Sequence, residues 1–381
     1  MINLSRKVEN IQISGIRRFY NKVMKVEGAI SLTLGEPDFK IPVEIKEAMK
    51  EAIDEDKTTY TSNAGIEPLR REIAKYLNLN GSNYTMENIC VTVGGSEAIL
   101  NIFQTILNEG DKVLIPEIAY AAYESCIKIV GGTPIEYPLK KDLTIDLKKL
   151  KEIIKSEKPK AIILSYPCNP TGMLLSKYEC DELYKMLKDE DILIISDEMY
   201  SSITFDKYYS LAPYDELRSR IILVGGFSKM FSMTGIRIGY VAAEASIMNE
   251  FIKVHQYNVS CAPSVGQYGA LMGLRESMYH VEYIKNNLKE RMEYVYSRLM
   301  DMGFEVTKPK GAFYIFPSIK KYKLSSEEFA EKLLNEAKVA VVPGNAFGSG
   351  GEGYIRISYC YSKEQLKLAL DNIESFIKTV E

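Results

Sequence analysis

The segment IILVGGFSKMFSMTGIRIGY occupies residues 221–240. Its first four residues, Ile221 to Val224, form a continuous aliphatic run, the pattern of a strand buried on both faces. A loop of small residues carrying Lys229 follows directly, and Arg237 comes eight residues later. A lone lysine is ordinarily a solvated surface residue. This one follows a buried strand, lies among Gly and Ser, and precedes an arginine. That is where open α/β sheets bind their ligands.

Four further runs read the same way, at 91–94, 113–116, 161–165 and 192–196. Amphipathic helical patterns lie between them at 96–107, 146–156 and 176–187. This alternation predicts an α/β fold with a mostly parallel sheet between helices. The C-terminal part reads as a smaller α+β domain. A long helical region spans 264–302, strands are expected at 304–307, 312–316, 339–342 and 354–358, and helices at 326–337 and 362–378. The segment before Pro42 shows no sheet of its own and is expected to pack with that domain. The division is therefore a large domain at 42–282 and a small one at 1–41 and 283–381, with the boundary near Tyr283.

Composition narrows the function. Among 381 residues, 46% are hydrophobic and 26% charged, and the net charge of −3 gives no basic footprint for nucleic acid. No apolar run approaches the ~20 residues that span a bilayer. The N-terminal MINLSRKVENIQ lacks the apolar core of a signal peptide, so the cytoplasm is the expected location. The six cysteines match no zinc spacing and read as reduced thiols. His255 and His280 are the only histidines, so no metal site is expected and the proton carrier must be Lys, Tyr or a carboxylate.

The positions after the strands carry the polar chemistry. Gly94, Gly95 and Ser96 open a helix whose free N–H groups suit a phosphate, although a plain turn with a Ser cap reads the same. YPCNPTG places Asn169 after the run at 161–165, where a simple turn is the alternative. SDEMY brings Asp197 and Tyr200 to the end of the run at 192–196. A carboxylate ending a buried strand is a cap, a base, a metal ligand or a partner for a ring nitrogen.

NPTG, SDEMY and SK…GIRIGY, in that order, resemble the class I and II aminotransferases of pyridoxal-phosphate (PLP) fold type I, from about Ser14 to the C-terminus. The resemblance implies a role for each matching residue. Lys229 matches the lysine that holds PLP as a Schiff base and later carries a proton. Asp197 matches the carboxylate that keeps the pyridine nitrogen protonated, so that the ring acts as an electron sink. Tyr200 and Asn169 match the hydrogen-bond partners of the cofactor O3′. Gly95, Ser96, Glu97 and Arg237 make up the phosphate cup, with Ser228 beside Lys229 as a candidate further donor, and Tyr120 matches the aromatic stacked on the ring, with a helix-core tyrosine as the alternative. Tyr60, in YTSNAG, matches a tyrosine that reaches the neighbouring subunit's phosphate, which implies a homodimer. Arg356, in YIRISYC, matches the clamp on the substrate α-carboxylate, flanked by Gly35. One departure stands out. Many relatives have Ser three residues before the lysine, and Gly226 stands there instead.

The implied reaction is transamination between an L-amino acid and a 2-oxo acid, with glutamate and 2-oxoglutarate as the expected pair. A PLP-dependent Cβ–S lyase on the same fold is the alternative. A PLP-sensing transcription regulator would need a DNA-binding domain, for which the family-like region beginning near residue 14 leaves no room. SGIRRF at 14–19 and KVHQYNVSC at 253–261 are most similar to the aminotransferase A branch, associated with N-acetyl-L,L-diaminopimelate. That substrate ranks first, an aromatic amino acid second and aspartate third. The 14–20 stretch is expected to cap the site, with Arg17 and Arg18 as distal-carboxylate candidates or as plain exposed arginines.

Overall fold

The computed structural model describes residues 5–9, 11 and 13–380. Strand β1 (Ile30–Ser31) lies apart from the main sheet. That sheet has seven strands: β2 (Ile89–Thr92), β3 (Lys112–Pro116), β4 (Thr133–Tyr137), β5 (Ala161–Ser165), β6 (Leu193–Asp197), β7 (Ile221–Gly226) and β8 (Gly239–Ala243). Their order is β2-β8-β7-β6-β5-β3-β4. Strand β8 runs antiparallel to β2 and β7, and the remaining pairings are parallel.

Every residue of β2, β5 and β7 is buried. Alternate residues serve opposite faces: Ile162, Leu164 and Leu223 join one apolar core, and Ile163, Ile222 and Val224 another. Strands covered on both faces read as continuous apolar runs, which is why the sequence shows them. The reading did not place β4 or β8. Edge strand β4 (TPIEY) carries Pro134 and an exposed Glu136, and β8 follows the lysine loop with no intervening helix longer than one turn.

The antiparallel β8 places the site. Its start lies beside the carboxyl ends of its neighbours, with Gly239 paired to both Thr92 and Gly226. Arg237, just before β8, thereby reaches the same edge as Lys229, just after β7.

A separate apolar core unites Phe19, Val23, Leu32, Leu288, Val295 and Ile357. It covers the antiparallel sheet β11-β12-β9, built from β9 (Tyr314–Ile315), β11 (Val342–Pro343) and β12 (Ile355–Ser358). It also covers β10 (Val339–Ala340), which pairs in parallel with β1. The N-terminal segment thus supplies a strand that the sequence did not reveal. The run expected at 339–342 divides at Val341, because β10 faces β1 while β11 turns to β12. The strand expected at 304–307 reduces to a bridge between Glu305 and Ser318, with Pro309 and Gly311 turning the chain just beyond. The helical region at 264–302 breaks at Ser277 into helices Ser264–Glu276 and Met278–Asp301. Gly273, Ser277, Val281 and Ile284 keep one buried stripe across the break, so periodicity could not reveal it. The expected boundary near Tyr283 falls inside the second of these helices.

Candidate active site

A cavity of about 610 Å³ opens at the carboxyl edge of the sheet. Gly35, Gly95, Ser96, Tyr120, Asn169, Asp197, Tyr200, Ser228, Lys229, Arg237 and Arg356 all line it. They come from segments as far apart in sequence as Gly35 and Arg356, so only the fold brings them together.

Lys229 lies in the one-turn helix Phe227–Met230 that ends β7. Its Nζ donates to the Gly35 carbonyl at 2.5 Å. Burial pulls this ammonium down to about 8 from an ordinary 10.5; Cys360 and Glu36 oppose the shift, while Arg237 and Arg356 add to it. A substantial neutral fraction near neutral pH is what a nucleophilic lysine requires.

Asp197 ends β6 and is buried. Its Oδ2 accepts from the Tyr123 hydroxyl at 2.6 Å, and its Oδ1 accepts from the Met199 N–H at 3.1 Å. Burial raises its pKa, and these two hydrogen bonds pull it back. Tyr123 also lies 2.9 Å from Ser165 Oγ. The sequence reading missed Tyr123, although its place three residues after Tyr120, in the first turn of helix Ala122–Val130, was a signal. Tyr120 itself lies in the loop before that helix and faces the cavity, not a helix core.

Tyr200 is buried in the turn after β6, and its hydroxyl lies 2.9 Å from that of Tyr314. Tyr314 was also missed, because it belongs to the distant β9 and only tertiary packing brings it here. Its hydroxyl fills the space a side chain at Gly35 would need. The Arg356 guanidinium lies 4.3 Å from the Tyr314 ring centroid. Arg356 is 2% exposed. It donates to Asn169 Oδ1 at 2.8 Å and to the Thr33 carbonyl, while its Nε is buried with no partner among the described residues.

The helix Gly94–Ile106 begins directly after β2 and presents Gly95 and Ser96 to the cavity. Gly94 has φ of 70°, and a Cβ there would come within 2.6 Å of the Arg237 guanidinium. Glycine is therefore required on both grounds. Arg237 itself has φ of 65° and donates to the Thr234 carbonyl. Glu97 departs from expectation and does not line the cavity. Its carboxylate turns behind the helix start, taking the Val93 N–H at 2.6 Å, the Asn101 amide and His255 Nδ1 at 2.8 Å. A capping geometry of this kind is invisible in the linear motif. The Gly226 departure also has a steric cause: a Cβ there would meet Met199 Cε at 3.0 Å and Gly239 Cα at 3.1 Å. Ser228 lines the cavity instead. Tyr60 does not line this chain's cavity and is 87% exposed.

The donors fit a phosphorylated pyridine aldehyde. The cradle combines free helix N–H groups with a guanidinium, and a buried carboxylate, a depressed lysine and an orphaned Arg356 Nε lie in the same cavity. Among the described residues, no cluster of three or more His, Cys, Asp or Glu could hold a metal ion.

A mostly parallel sheet with a lysine-bearing cavity at its carboxyl edge, beside a smaller α+β unit, is the architecture of PLP enzymes of fold type I. Residues 27–373 match the family described as aminotransferase class I and II, and the chain belongs to that PLP-dependent family. It is 42% identical over 377 residues, 98% of this chain and 95% of the relative, to the probable N-acetyl-LL-diaminopimelate aminotransferase of Bacillus subtilis (strain 168). It is 40% identical over 383 residues, 98% of each chain, to the aspartate aminotransferase of Pyrococcus abyssi. The crystal structure of the aromatic aminotransferase from Pyrococcus horikoshii OT3 superposes with a TM-score of 0.90 at 39% identity, covering 95% of this chain and 99% of that one. The chain is accordingly an enzyme that transfers amino groups.

Proposed function

We propose that the cavity carries out transamination between an L-amino acid and a 2-oxo acid, with Lys229 as the cofactor tether. The observation that carries this reading is the depressed, half-buried Lys229 amine sharing one cavity with the Asp197 carboxylate and the Arg356 guanidinium. Bound PLP supplies the electron sink for charge developing at the substrate Cα. Asp197, fixed by Tyr123 and the Met199 N–H, holds a proton at the ring nitrogen. Tyr200 and Asn169 would donate to the cofactor O3′, and the Tyr120 ring would stack on the pyridine. The Gly95 and Ser96 N–H groups, Ser228 and Arg237 hold the phosphate, with Glu97 fixing the helix start from behind. Arg356 grips the substrate α-carboxylate beside Gly35. With PLP bound, Lys229 Nζ would stand as the base for the substrate Cα proton.

Tyr60 is read as reaching the phosphate of a second copy, which makes the enzyme a homodimer; its 87% exposure in the single chain supports this. The large unit is assigned to 42–282 and the small unit to the remainder. The six free thiols suit a reducing cytoplasm. For the donor, N-acetyl-L,L-diaminopimelate ranks first on the 42% identical relative, followed by aromatic amino acids and aspartate, with 2-oxoglutarate as acceptor. Borohydride reduction of the PLP-loaded protein followed by peptide mapping tests the tether. Label on Lys229 is expected, and label on another lysine sinks the assignment.

A further inference from the structure

One wall of the cavity has no task in the reading above. Ser14, Ile16, Arg17 and Tyr20 form it, from the start of helix Gly15–Val23. The helix is anchored in the small unit's core: Phe19 and Val23 are buried there, and Lys22 pairs with Glu327 and Glu331 of helix Ser326–Ala337. The anchored face fixes the helix, so the Arg17 side chain is delivered to the cavity by a held element rather than by a loose tail. Arg17 lies with its guanidinium 5.9 Å from the Tyr20 ring centroid and has no acidic partner among the described residues.

The charges lining the cavity are unbalanced. Arg17, Lys229, Arg237 and Arg356 face a single carboxylate, Asp197. A cofactor phosphate answers Arg237, and a substrate α-carboxylate answers Arg356. Arg17 is left without an anion. Its neighbour Arg18 has turned away, because successive residues on a helix point about 100° apart. Arg18 lines an adjoining hollow of about 220 Å³ together with Glu124, Lys128 and Glu136.

We propose that Arg17 is a specificity-determining residue that binds the second carboxylate of dicarboxylic amino donors and of their 2-oxo acids. This rests on the assignment of Arg356 to the α-carboxylate. It selects acidic side chains over neutral ones of the same length, and it gives the two adjacent arginines different roles.

The test uses the PLP-loaded enzyme and two readouts. Binding of succinate and of butyrate, neither of which can react, is measured by calorimetry in the wild type, Arg17→Gln, Arg17→Lys and Arg18→Gln. Single-turnover kcat/KM is measured for glutamate and for norvaline. The wild type and Arg18→Gln are expected to bind succinate at least tenfold tighter than butyrate. Arg17→Gln is expected to lose that preference, and Arg17→Lys to keep part of it. The glutamate-to-norvaline ratio of kcat/KM should fall at least tenfold in Arg17→Gln. An unchanged succinate preference in Arg17→Gln, or an equal loss in Arg18→Gln, overturns the proposal. Failure of the wild type to turn over any amino donor would sink the transamination reading itself, while succinate binding still decides the role of Arg17.

Discussion

The depressed basicity of Lys229 makes a quantitative prediction. With the amine at about 8 in place of 10.5, about one molecule in ten carries a neutral amine at pH 7. An ordinary exposed lysine carries about three in ten thousand, so the neutral fraction is larger by a factor of roughly 300. The cause is desolvation of the charged form, so the shift belongs to the folded, cofactor-free protein and disappears on unfolding. The assay is reductive methylation with formaldehyde and cyanoborohydride over pH 6 to 10, read by peptide mapping, with exposed lysines as internal references. Formaldehyde is small and uncharged, so its own titration does not distort the profile. Labelling of Lys229 should be half-maximal near pH 8 and level off by about pH 9, while the exposed lysines are still rising at pH 10. The same shift has a stability sign. Between about 8 and 10.5 the unfolded chain binds the extra proton, so this group's contribution becomes more favourable to the fold as pH rises. The difference in stability between the wild type and Lys229→Met should therefore shift in the wild type's favour by about 1.4 kcal/mol per pH unit in that window. Lys229 labelling that still climbs in step with the exposed lysines through pH 9.5 would refute the reasoning.

Asp197→Asn should still bind PLP yet lose most of its single-turnover rate; near wild-type rates would show that this carboxylate does not serve the electron sink. Tyr123→Phe removes the hydroxyl 2.6 Å from Asp197 Oδ2. A hydrogen bond to a buried charge contributes about 1.5–3 kcal/mol, so single-turnover rates should drop by roughly ten- to a hundredfold, with the PLP absorbance of the resting enzyme shifting its pH midpoint. Glu97→Ala strips partners from the Val93 N–H, the Asn101 amide and His255 Nδ1. Denaturant melts should show a loss of about 2–4 kcal/mol, and equilibrium dialysis a weaker hold on PLP, while Glu97→Gln retains part of both. Sedimentation of the loaded enzyme at assay concentration should show a dimer, and a fully active monomer would end the role given to Tyr60.

The sequence by itself determined five of the seven strands of the main sheet and the chemical groups at their ends. Continuous runs such as 161–165 and 221–224 are strands because both faces are covered, a property that each run carries locally. Lys229, Asp197, Asn169 and Ser96 were legible for the same reason, since each directly follows a strand or opens a helix. What the sequence could not carry is anything produced when distant segments meet. Tyr314 approaches Tyr200, and Arg356 reaches Asn169, across more than a hundred residues of chain, and no local pattern encodes either contact. Glu97 had the right position for the phosphate cup, but its carboxylate turned to the Val93 N–H and His255 behind the helix. Strand β1 exists only because β10 lies beside it. Arg17 and Arg18 are indistinguishable as neighbouring letters, and only the anchoring of their helix sends one into the cavity and the other out of it. Local sequence sets which backbone conformation and which functional group each segment offers. The tertiary structure sets burial and convergence, and burial is what shifts Lys229 and Asp197 away from their ordinary ionisation.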